Sequence, residues 1–269
     1  MSPIMSAHTD KHDQVTMPSL RIAAAQSSSV AGDVAANVNI HARFIVAAHQ
    51  AQVDLLVFPE LSLSGYELPL LRDCLLQAHD SRLAPIRDLV RATQMTVVVG
   101  APLDGGVGAQ PAIAAITFLP DGSTSVYCKQ YLHPGEEQYA AAGKTGSQRH
   151  GIGDQSFALA ICADTAHEQH ARAAAATGAS LYLASVLVSQ GGYPADSAQL
   201  QRYASTLDIG VLMANHGGPS GGYACAGQSA FWAPGGQQVV AAPGTGDLLV
   251  VAAHQAGVWR GELHTPALP

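Results

Sequence analysis

The alternation of apolar and polar positions divides the chain from residue 20 onward into strand-like and helix-like segments. Short apolar runs predict strands at 20–26, 53–58, 96–103, 112–119, 123–130, 157–161, 180–187 and 211–215, and short tail strands around 235–236 and at 248–253. Apolar residues spaced three and four apart predict helices from Asp33 onward and at 68–78, 81–94, 166–177 and 196–208. This β-α-β alternation, interrupted by a hairpin turn at Asp121-Gly122, indicates an α/β fold of mixed sheets covered by helices.

Length and composition bound the domain organisation. The chain has 269 residues, of which 48% are hydrophobic and only 12% are charged, so a core or a subunit interface must hide many side chains. Residues 1–18 are polar, contain proline and show no periodic apolar face. We therefore expect a disordered leader at 1–18 and a single domain at 19–269.

The charge balance argues against several classes of partner. The formal net charge is -7, and no cluster of Lys and Arg is present that would neutralise phosphates, so nucleic acid and anionic membranes are unfavourable partners. No apolar run reaches the roughly 18 residues of a membrane-spanning helix, and the first residues lack a signal-peptide apolar stretch. The sequence thus predicts a cytoplasmic protein that acts on a small molecule.

Cysteine and histidine spacing gives no metal signature. Four cysteines, at positions 74, 128, 162 and 225, lie far apart without a C-x-x-C pair, which is typical of reduced thiols. The segment His167-Glu168-Gln169-His170 misses the H-E-x-x-H spacing that places two imidazoles one helical turn apart. We predict neither a metal nor a cofactor.

Three chemically capable side chains stand in or just beyond predicted strands. Cys162 closes the strand at 157–161 and precedes a helix that a capping box at Thr165-Ala-His-Glu168 is predicted to open, where free N–H groups and the helix dipole favour a thiolate. Glu60 follows a nearly apolar strand, where desolvation would raise its pKa toward the range useful for a base. Lys129 lies in the strand at 123–130, on the face opposite Cys128.

Each of these residues also has a plainer interpretation when it is taken alone. Cys162 could be a buried structural cysteine, Glu60 a solvated loop glutamate, and Lys129 a charged guard on a strand edge. The local sequence is evenly balanced for Cys162, and it favours the plainer interpretation for Glu60 and for Lys129.

Taken together, the three segments resemble the nitrilase superfamily of carbon–nitrogen hydrolases. The resemblance rests on Phe58-Pro59-Glu60-Leu61 with Ser64-Gly65-Tyr66 beyond it, on Lys129 with Leu132 and the stretch from Gly135 to Gly143, and on Ile161-Cys162-Ala163-Asp164. It extends from about residue 20 to about residue 255 and includes Arg202 and Ala214-Asn215. The fold that it implies is a four-layer α-β-β-α sandwich that pairs through its helical faces into a homodimer or a larger assembly.

The resemblance also implies roles for particular residues. Catalytic roles fall to Glu60 as base, Lys129 as oxyanion partner and Cys162 as nucleophile. The supporting residues are Glu136, which would buttress the lysine and has Glu137 as its alternative, and Ala163, whose backbone N–H would help to hold the oxyanion. Candidates for the substrate pocket are Tyr66, Glu137 and Ser185.

The expected reaction is hydrolysis of a small non-peptide amide through a thioester, with release of ammonia or an amine. Many relatives have an aromatic residue after the cysteine and Phe-Pro-Glu shortly beyond, where this chain has Ala163 and His167-Glu168, so no named substrate carries over. A nitrile substrate, or acyl transfer to another amine, would use the same three residues.

Two rivals from other classes remain. Gly218-Pro219-Ser220-Gly221-Gly222 matches the G-x-S-x-G elbow of serine hydrolases, with Asp247 and His254 downstream, although a glycine-rich segment follows the serine where the elbow needs a helix. A binding protein built on the hydrolase fold would keep the sandwich without the chemistry, and the intact Glu60, Lys129 and Cys162 argue against it.

Overall fold

A computed structural model of the chain describes residues 19–267, and the leader predicted at 1–18 lies outside the described residues. The strands are β1 (Ser19–Gln26), β2 (Leu55–Val57), β3 (Thr96–Leu103), β4 (Ala112–Phe118), β5 (Thr124–Cys128), β6 (His150–Ile152), β7 (Gln155–Ile161), β8 (Leu181–Val186), β9 (Gly210–Asn215), β10 (Ala230–Trp232), β11 (Gln238–Ala241), β12 (Leu248–Gln255) and β13 (Val258–His264). The helices are α1 (Val34–Gln50), α2 (Ala84–Thr93), α3 (Glu168–Ala176) and α4 (Tyr193–Thr206).

Within residues 19–267 the strands form two mixed sheets. The larger sheet has the order β13-β12-β1-β2-β3-β4-β5, and the smaller has the order β11-β10-β9-β8-β7-β6. Strands β1, β2 and β3 are parallel in the larger sheet, as are β7, β8 and β9 in the smaller one. The remaining neighbours pair antiparallel. Loops after the parallel strands of one sheet therefore gather at one edge, which is where functional groups collect in α/β folds.

Three apolar clusters separate the layers of the fold. The first contains residues of both sheets, such as Ile22 of β1 and Leu159 of β7, and fills the space between them. The second packs α1 and α2 on the larger sheet, with Phe44 fully buried, and the third packs α3 and α4 on the smaller sheet, with Leu200 buried. The order of layers is helix, sheet, sheet, helix, which confirms the α-β-β-α sandwich.

Helix α1 shows how the sequence pattern produces this packing. The Asp33 side chain accepts a hydrogen bond from the Ala36 N–H at 2.9 Å and caps the first turn, a contact worth about 1 kcal/mol. Val38 and Ile45 then recur on the buried face at helical spacing, as the sequence predicted.

Three parts of the chain differ from the sequence prediction. The helix predicted at 68–78 is wrong, because only Leu68–Leu70 forms a short 3-10 turn and Leu76 pairs with Leu103 of β3 as an isolated bridge. The Leu76 N–H donates to the Pro102 carbonyl, which takes the backbone out of the helical hydrogen-bond pattern. Strands β6 and β13 were not predicted; β6 is three residues long and β13 is largely solvent-exposed, so neither leaves a buried apolar run in the sequence.

Candidate active site

The loop after β2 holds Glu60 in the interior. Its side chain is 0% exposed, and the backbone on either side of it lies directly on β3. Gly100 of β3 makes this possible, because a Cβ at that position would overlap the backbone of Pro59 and Leu61. Leu61 itself has a φ of +51°, in the left-handed region that non-glycine residues seldom occupy. Close backbone packing therefore fixes where the carboxyl group emerges.

Two side chains from the smaller sheet secure the same loop. The His216 Nε2–H donates to the Glu60 carbonyl oxygen at 2.7 Å, and the Ser185 hydroxyl donates to the Phe58 carbonyl at 2.7 Å. Burial lowers the pKa of His216 to about 4, so its ring is neutral near pH 7. Ser185 is buried under the loop and is absent from the cavity lining, so the structure does not bring it to the predicted pocket.

Lys129 lies at the centre of a buried ion-pair cluster. Its ammonium donates to Glu60 Oε1 at 2.6 Å and to Glu136 Oε1 at 2.7 Å, and all three side chains are 0% exposed. The Tyr66 hydroxyl donates to the same Glu136 oxygen at 2.5 Å, while the His133 N–H donates to Glu136 Oε2 at 2.7 Å. Of the two adjacent glutamates, Glu136 is therefore the one that contacts the lysine.

Glu137 points away from this cluster. Its side chain is exposed, and its carboxylate accepts a hydrogen bond from the Gly135 N–H at 2.7 Å. It does not line the cavity described below, in contrast to the pocket role predicted for it. The one-residue difference follows from the short 3-10 turn Glu136–Gln138, which turns only the first glutamate inward.

Cys162 stands at a sharp turn after β7. It has a φ of +42°, a conformation that costs a non-glycine residue energy and that occurs preferentially at functional sites. Its thiol donates to the Leu187 carbonyl at 3.5 Å. The predicted capping box is wrong, because the Thr165 hydroxyl donates to the Cys162 carbonyl at 2.7 Å and α3 begins only at Glu168, after the 3-10 segment Cys162–Ala166.

Asp164 joins the cysteine and lysine segments. One of its carboxylate oxygens accepts from the Gln130 N–H and the Tyr131 N–H, at 3.0 and 2.9 Å. The other accepts from the Ile161 N–H at 2.9 Å and from the Tyr127 hydroxyl at 2.6 Å. Residues next to Lys129 and next to Cys162 are thus held by one side chain, to which the sequence analysis gave no role.

The charges of the cluster shift the pKa values of its members. Burial raises the pKa of Glu60 to about 7. The Lys129 ammonium and the Cys162 thiol both oppose this rise. Burial by itself would lower the Lys129 pKa, but Glu60, Cys162 and Glu136 outweigh it and raise the pKa above its ordinary value. Burial and Glu60 raise the pKa of Cys162 well above its ordinary value. The resting site therefore holds a thiol, whereas the sequence analysis expected conditions that favour a thiolate.

A cavity of about 250 Å³ opens beside the thiol. Its lining includes Cys162, Ala163, Tyr66 and Leu187, with Asp196 from the first turn of α4. Tyr66 and Ala163, both named in the sequence analysis, thus line the same cavity as Cys162. The cavity has room for a small substrate next to the sulfur, and it is joined to the ion-pair cluster through Tyr66 and His133, which line it and donate to Glu136.

Glu60 keeps one oxygen free for chemistry. Among the described residues its Oε2 atom is buried without a hydrogen-bond partner. A buried acceptor of this kind costs free energy unless something else uses it, and such atoms are typical of catalytic sites. The atom can accept a proton.

Residues 19–267 contain neither a metal-binding cluster nor a membrane-spanning helix. No group of three or more His, Cys, Asp or Glu side chains is arranged to hold a metal ion in that part of the chain. No helix there is long and apolar enough to cross a membrane.

The serine-hydrolase alternative is not supported by its three residues. Ser220 accepts a hydrogen bond from the Tyr66 N–H at 2.8 Å, and no helix follows it. Asp247 accepts from the Ser28 N–H at 2.8 Å, and His254 packs on Trp259 with ring centroids 4.7 Å apart. The three side chains have separate partners and form no hydrogen-bonded relay.

The family model described as Carbon-nitrogen hydrolase matches residues 21–261. The chain belongs to the carbon–nitrogen hydrolase family. The match covers most of the chain, including both sheets and the cluster around Lys129. The protein is accordingly a hydrolase that acts on carbon–nitrogen bonds.

Solved structures of one amidase are similar to this carbon–nitrogen hydrolase over most of its length. A variant of the amidase from Nesterenkonia sp. AN1 in complex with butyramide has 25% sequence identity and a TM-score of 0.81, over 88% of this chain and 92% of that one. A second variant, with the acetamide moiety of fluoroacetamide added covalently to its active-site cysteine, has 25% identity and a TM-score of 0.80, over 88% and 90% of the two chains. A third, described as an amidase from the nitrilase superfamily, has 26% identity and a TM-score of 0.79, over 86% and 90%.

No curated protein sequence matches this carbon–nitrogen hydrolase significantly. The structural neighbours support amide hydrolysis at the level of the family.

Proposed function

We propose that the protein hydrolyses a small non-peptide amide through a thioester on Cys162, with Glu60 as base and Lys129 as oxyanion partner. The observation that carries the proposal is the Glu60 Oε2 atom, which is buried without a hydrogen-bond partner while Oε1 pairs with Lys129. Cys162, whose backbone is strained, lines the cavity. A proton acceptor, a fixed positive charge and a thiol are together sufficient for acyl transfer through a thioester.

The reaction begins at the thiol. Because the pKa of Cys162 is raised, little thiolate exists at rest, and Glu60 must take the proton as the sulfur attacks the amide carbonyl. A carbon–sulfur bond forms and the carbonyl oxygen becomes an oxyanion. The Lys129 ammonium stabilises this charge, together with the Ala163 backbone N–H beside the sulfur.

The second half returns the enzyme to its starting state. Protonated Glu60 gives its proton to the leaving nitrogen, the carbon–nitrogen bond breaks, and a thioester remains on Cys162. A water molecule then gives a proton to Glu60 and attacks the thioester, and the proton returns to the sulfur as the acid leaves. A pKa of about 7 suits a carboxyl group that must both accept and donate a proton near neutral pH.

The second carboxylate, Glu136, explains how Lys129 stays charged in the interior. Two carboxylates, Glu60 and Glu136, face one ammonium, and Glu136 is itself held by the Tyr66 hydroxyl and the His133 N–H. When Glu60 becomes protonated, Glu136 still pairs with the lysine, so the positive charge persists while the oxyanion exists. The amidase neighbours, which carry adducts on a cysteine and bind butyramide, are consistent with this chemistry.

The test combines product analysis with two variants. We expect wild-type protein incubated with a panel of primary amides to release ammonia and to show an acyl mass increment on Cys162, while Cys162→Ala gives neither and keeps the wild-type circular dichroism spectrum. Ser220→Ala serves as the control and should retain the Cys162 adduct. Ammonia release by Cys162→Ala at the wild-type rate would contradict the proposal and restore Ser220 as a candidate.

The same panel separates the reactions that share this trio. Supplying a nitrile tests nitrile hydrolysis, and supplying hydroxylamine tests acyl transfer, because the thioester would then yield a hydroxamate. We also propose that the protein is a cytoplasmic homodimer or larger assembly; light scattering and cell fractionation test these two points. A monomer at every concentration would contradict the assembly and leave the chemistry untouched.

A further inference from the structure

The cavity beside Cys162 has an unbalanced charge. Among residues 19–267 no lysine or arginine contributes to its lining, while Asp196 contributes a carboxylate. Behind the sulfur, the carboxylates of Glu60 and Glu136 face the single ammonium of Lys129. The fixed groups around the cavity therefore carry more negative than positive charge, which attracts a cationic substrate and repels an anionic one.

Asp196 has no partner of its own in this site. Its side chain is half-buried, and among residues 19–267 it makes no hydrogen bond and no ion pair. Its Oδ2 atom lies near Gly192, where an added Cβ would come within 3.2 Å of it. Burial raises the pKa of Asp196, and His133 on the same cavity wall lowers it in part. An aspartate in the first turn of a helix often serves only the helix dipole, but this one also faces the nucleophile's cavity.

Two tyrosines add a second feature that favours a cation. Tyr66 and Tyr223 both line the cavity, with their ring centroids 6.0 Å apart in an edge-on arrangement. The faces of aromatic rings attract ammonium groups, and the attraction grows when water is excluded. A protonated amine in this cavity would thus meet a carboxylate and aromatic rings together.

We propose that Asp196 binds a protonated amino group on the acyl part of the substrate, so that the preferred substrates are small ω-amino amides. This inference rests on the proposed function. If a primary amide is cleaved and ammonia leaves, only the acyl chain can carry a further group. Asp196 is then a specificity-determining residue, and it takes no part in the bond-breaking steps.

The probes are pairs of primary amides of equal length. The cationic series contains the amides of 3-aminopropanoic, 4-aminobutanoic, 5-aminopentanoic and 6-aminohexanoic acids, and each has a neutral partner in which a methyl group replaces the ammonium. We expect the ratio of kcat/KM, cationic over neutral, to reach at least about tenfold for one chain length, as a charge-assisted hydrogen bond provides. The best chain length reports the distance from Cys162 to Asp196.

The variant Asp196→Asn keeps the size of the side chain and removes its charge. We expect the ratio to fall to near one in this variant, while Asp208→Asn at the other end of α4 keeps the wild-type ratio. Asp208 is exposed and has a φ of +53°, which asparagine tolerates well, so the control makes the same change in net charge outside the cavity. A ratio at or below one in the wild type, or a ratio that Asp196→Asn does not change, overturns the proposal.

Binding to the Cys162→Ala variant separates this inference from the reaction. Calorimetry should show tighter binding of the cationic amides to Cys162→Ala than to the double variant that also carries Asp196→Asn. If that preference is found while the wild type cleaves none of the amides, the cation site stands and the proposed function fails. If Cys162→Ala binds the cationic and neutral amides equally, the cation site fails whatever the enzyme cleaves.

Discussion

Two buried carboxylates, Glu60 and Asp164, lie close to the same chemistry and are treated very differently by their surroundings. Asp164 accepts four hydrogen bonds, three from backbone N–H groups and one from Tyr127, which fills its capacity. Glu60 accepts one, from Lys129, and keeps its second oxygen without a partner among the described residues.

The difference distinguishes a group that holds geometry from a group that is available for reaction. A fully satisfied carboxylate is rigid, and protonating it would break several contacts at once. A half-satisfied one is costly to bury as an anion, which is why burial raises the pKa of Glu60 to about 7. In the proposed mechanism, Asp164 therefore contributes stability and Glu60 contributes proton transfer.

The largest effect is expected from variants that remove the charge of Glu60 or of its partner Lys129. Glu60→Gln and Lys129→Met should each lower the chemical step by a factor of at least about a hundred, because base and oxyanion contributions have that size. The double variant should be little worse than the poorer single one, since the groups act as one unit. Single-turnover rates measure this, with the exposed Glu137→Gln as control. Multiplicative losses would indicate independent roles.

Asp164→Asn tests the structural side. An asparagine offers one acceptor oxygen and turns an NH₂ group toward N–H donors, so we expect a loss of about 3 kcal/mol in the free energy of unfolding. Urea denaturation measures it. The exposed Asp88→Asn, whose ion pair with Arg91 has an N–O distance of 3.7 Å at the surface, should change stability by less than about 0.5 kcal/mol. Equal losses in the two variants would contradict the assignment.

The pH dependence of stability sharpens the comparison further. The pKa of Glu60 in the folded protein, about 7, lies above its ordinary value of 4.5. The contribution of protonated Glu60 to the free energy of unfolding is therefore fully present below pH 4.5 and is lost as the pH rises through 7. Relative to Glu60→Gln, the wild type should therefore lose up to about 3 kcal/mol between pH 4.5 and 8. Urea denaturation across that range measures the difference, and a constant difference would contradict the raised pKa. The kcat/KM profile should rise with pH through the same value.

Tyr127→Phe gives the smallest effect. It removes one of the four hydrogen bonds to Asp164 and also the contact with His170 Nε2 at 2.7 Å. A loss of about 1 to 2 kcal/mol in stability is expected from one buried hydroxyl, with turnover reduced far less than in Glu60→Gln. Thermal melting and steady-state rates check it. A hundredfold loss of turnover would contradict a purely structural role for Tyr127 and would indicate a role in the reaction.

The residues proposed to react were easier to predict from the sequence than Asp164, which holds the geometry. Glu60, Lys129 and Cys162 each stand in a short local motif at or beside a strand end, which a single sequence displays. Asp164 stands in the same motif as Cys162, but its partners Gln130 and Tyr131 lie more than thirty positions away. His216 is 156 positions from Glu60, whose carbonyl it contacts. Contacts of this kind exist only after the two sheets have packed together.

Local turn geometry accounts for the other differences. Periodicity cannot tell Glu136 from Glu137, because the choice depends on how a 3-10 turn of three residues is oriented. The segment 68–78 contains enough leucine to suggest a helix, yet its backbone forms only local turns up to Cys74, and the Leu76 N–H then donates to the Pro102 carbonyl of β3. Asp196 gave no signal in the sequence, since it belongs to no motif and meets the cavity only through the placement of α4.

Gly100 makes the position of Glu60, the proposed general base, intolerant of gradual change. At most positions a small substitution shifts the neighbouring atoms only slightly, so the geometry of a site can change in small steps. At position 100 even alanine would push the backbone around Glu60 off its supporting strand, because the smallest side chain already overlaps Pro59 and Leu61. Substrate preference is therefore expected to vary through side chains that line the cavity itself, such as Asp196 of α4, which can be exchanged without displacing the carboxyl group.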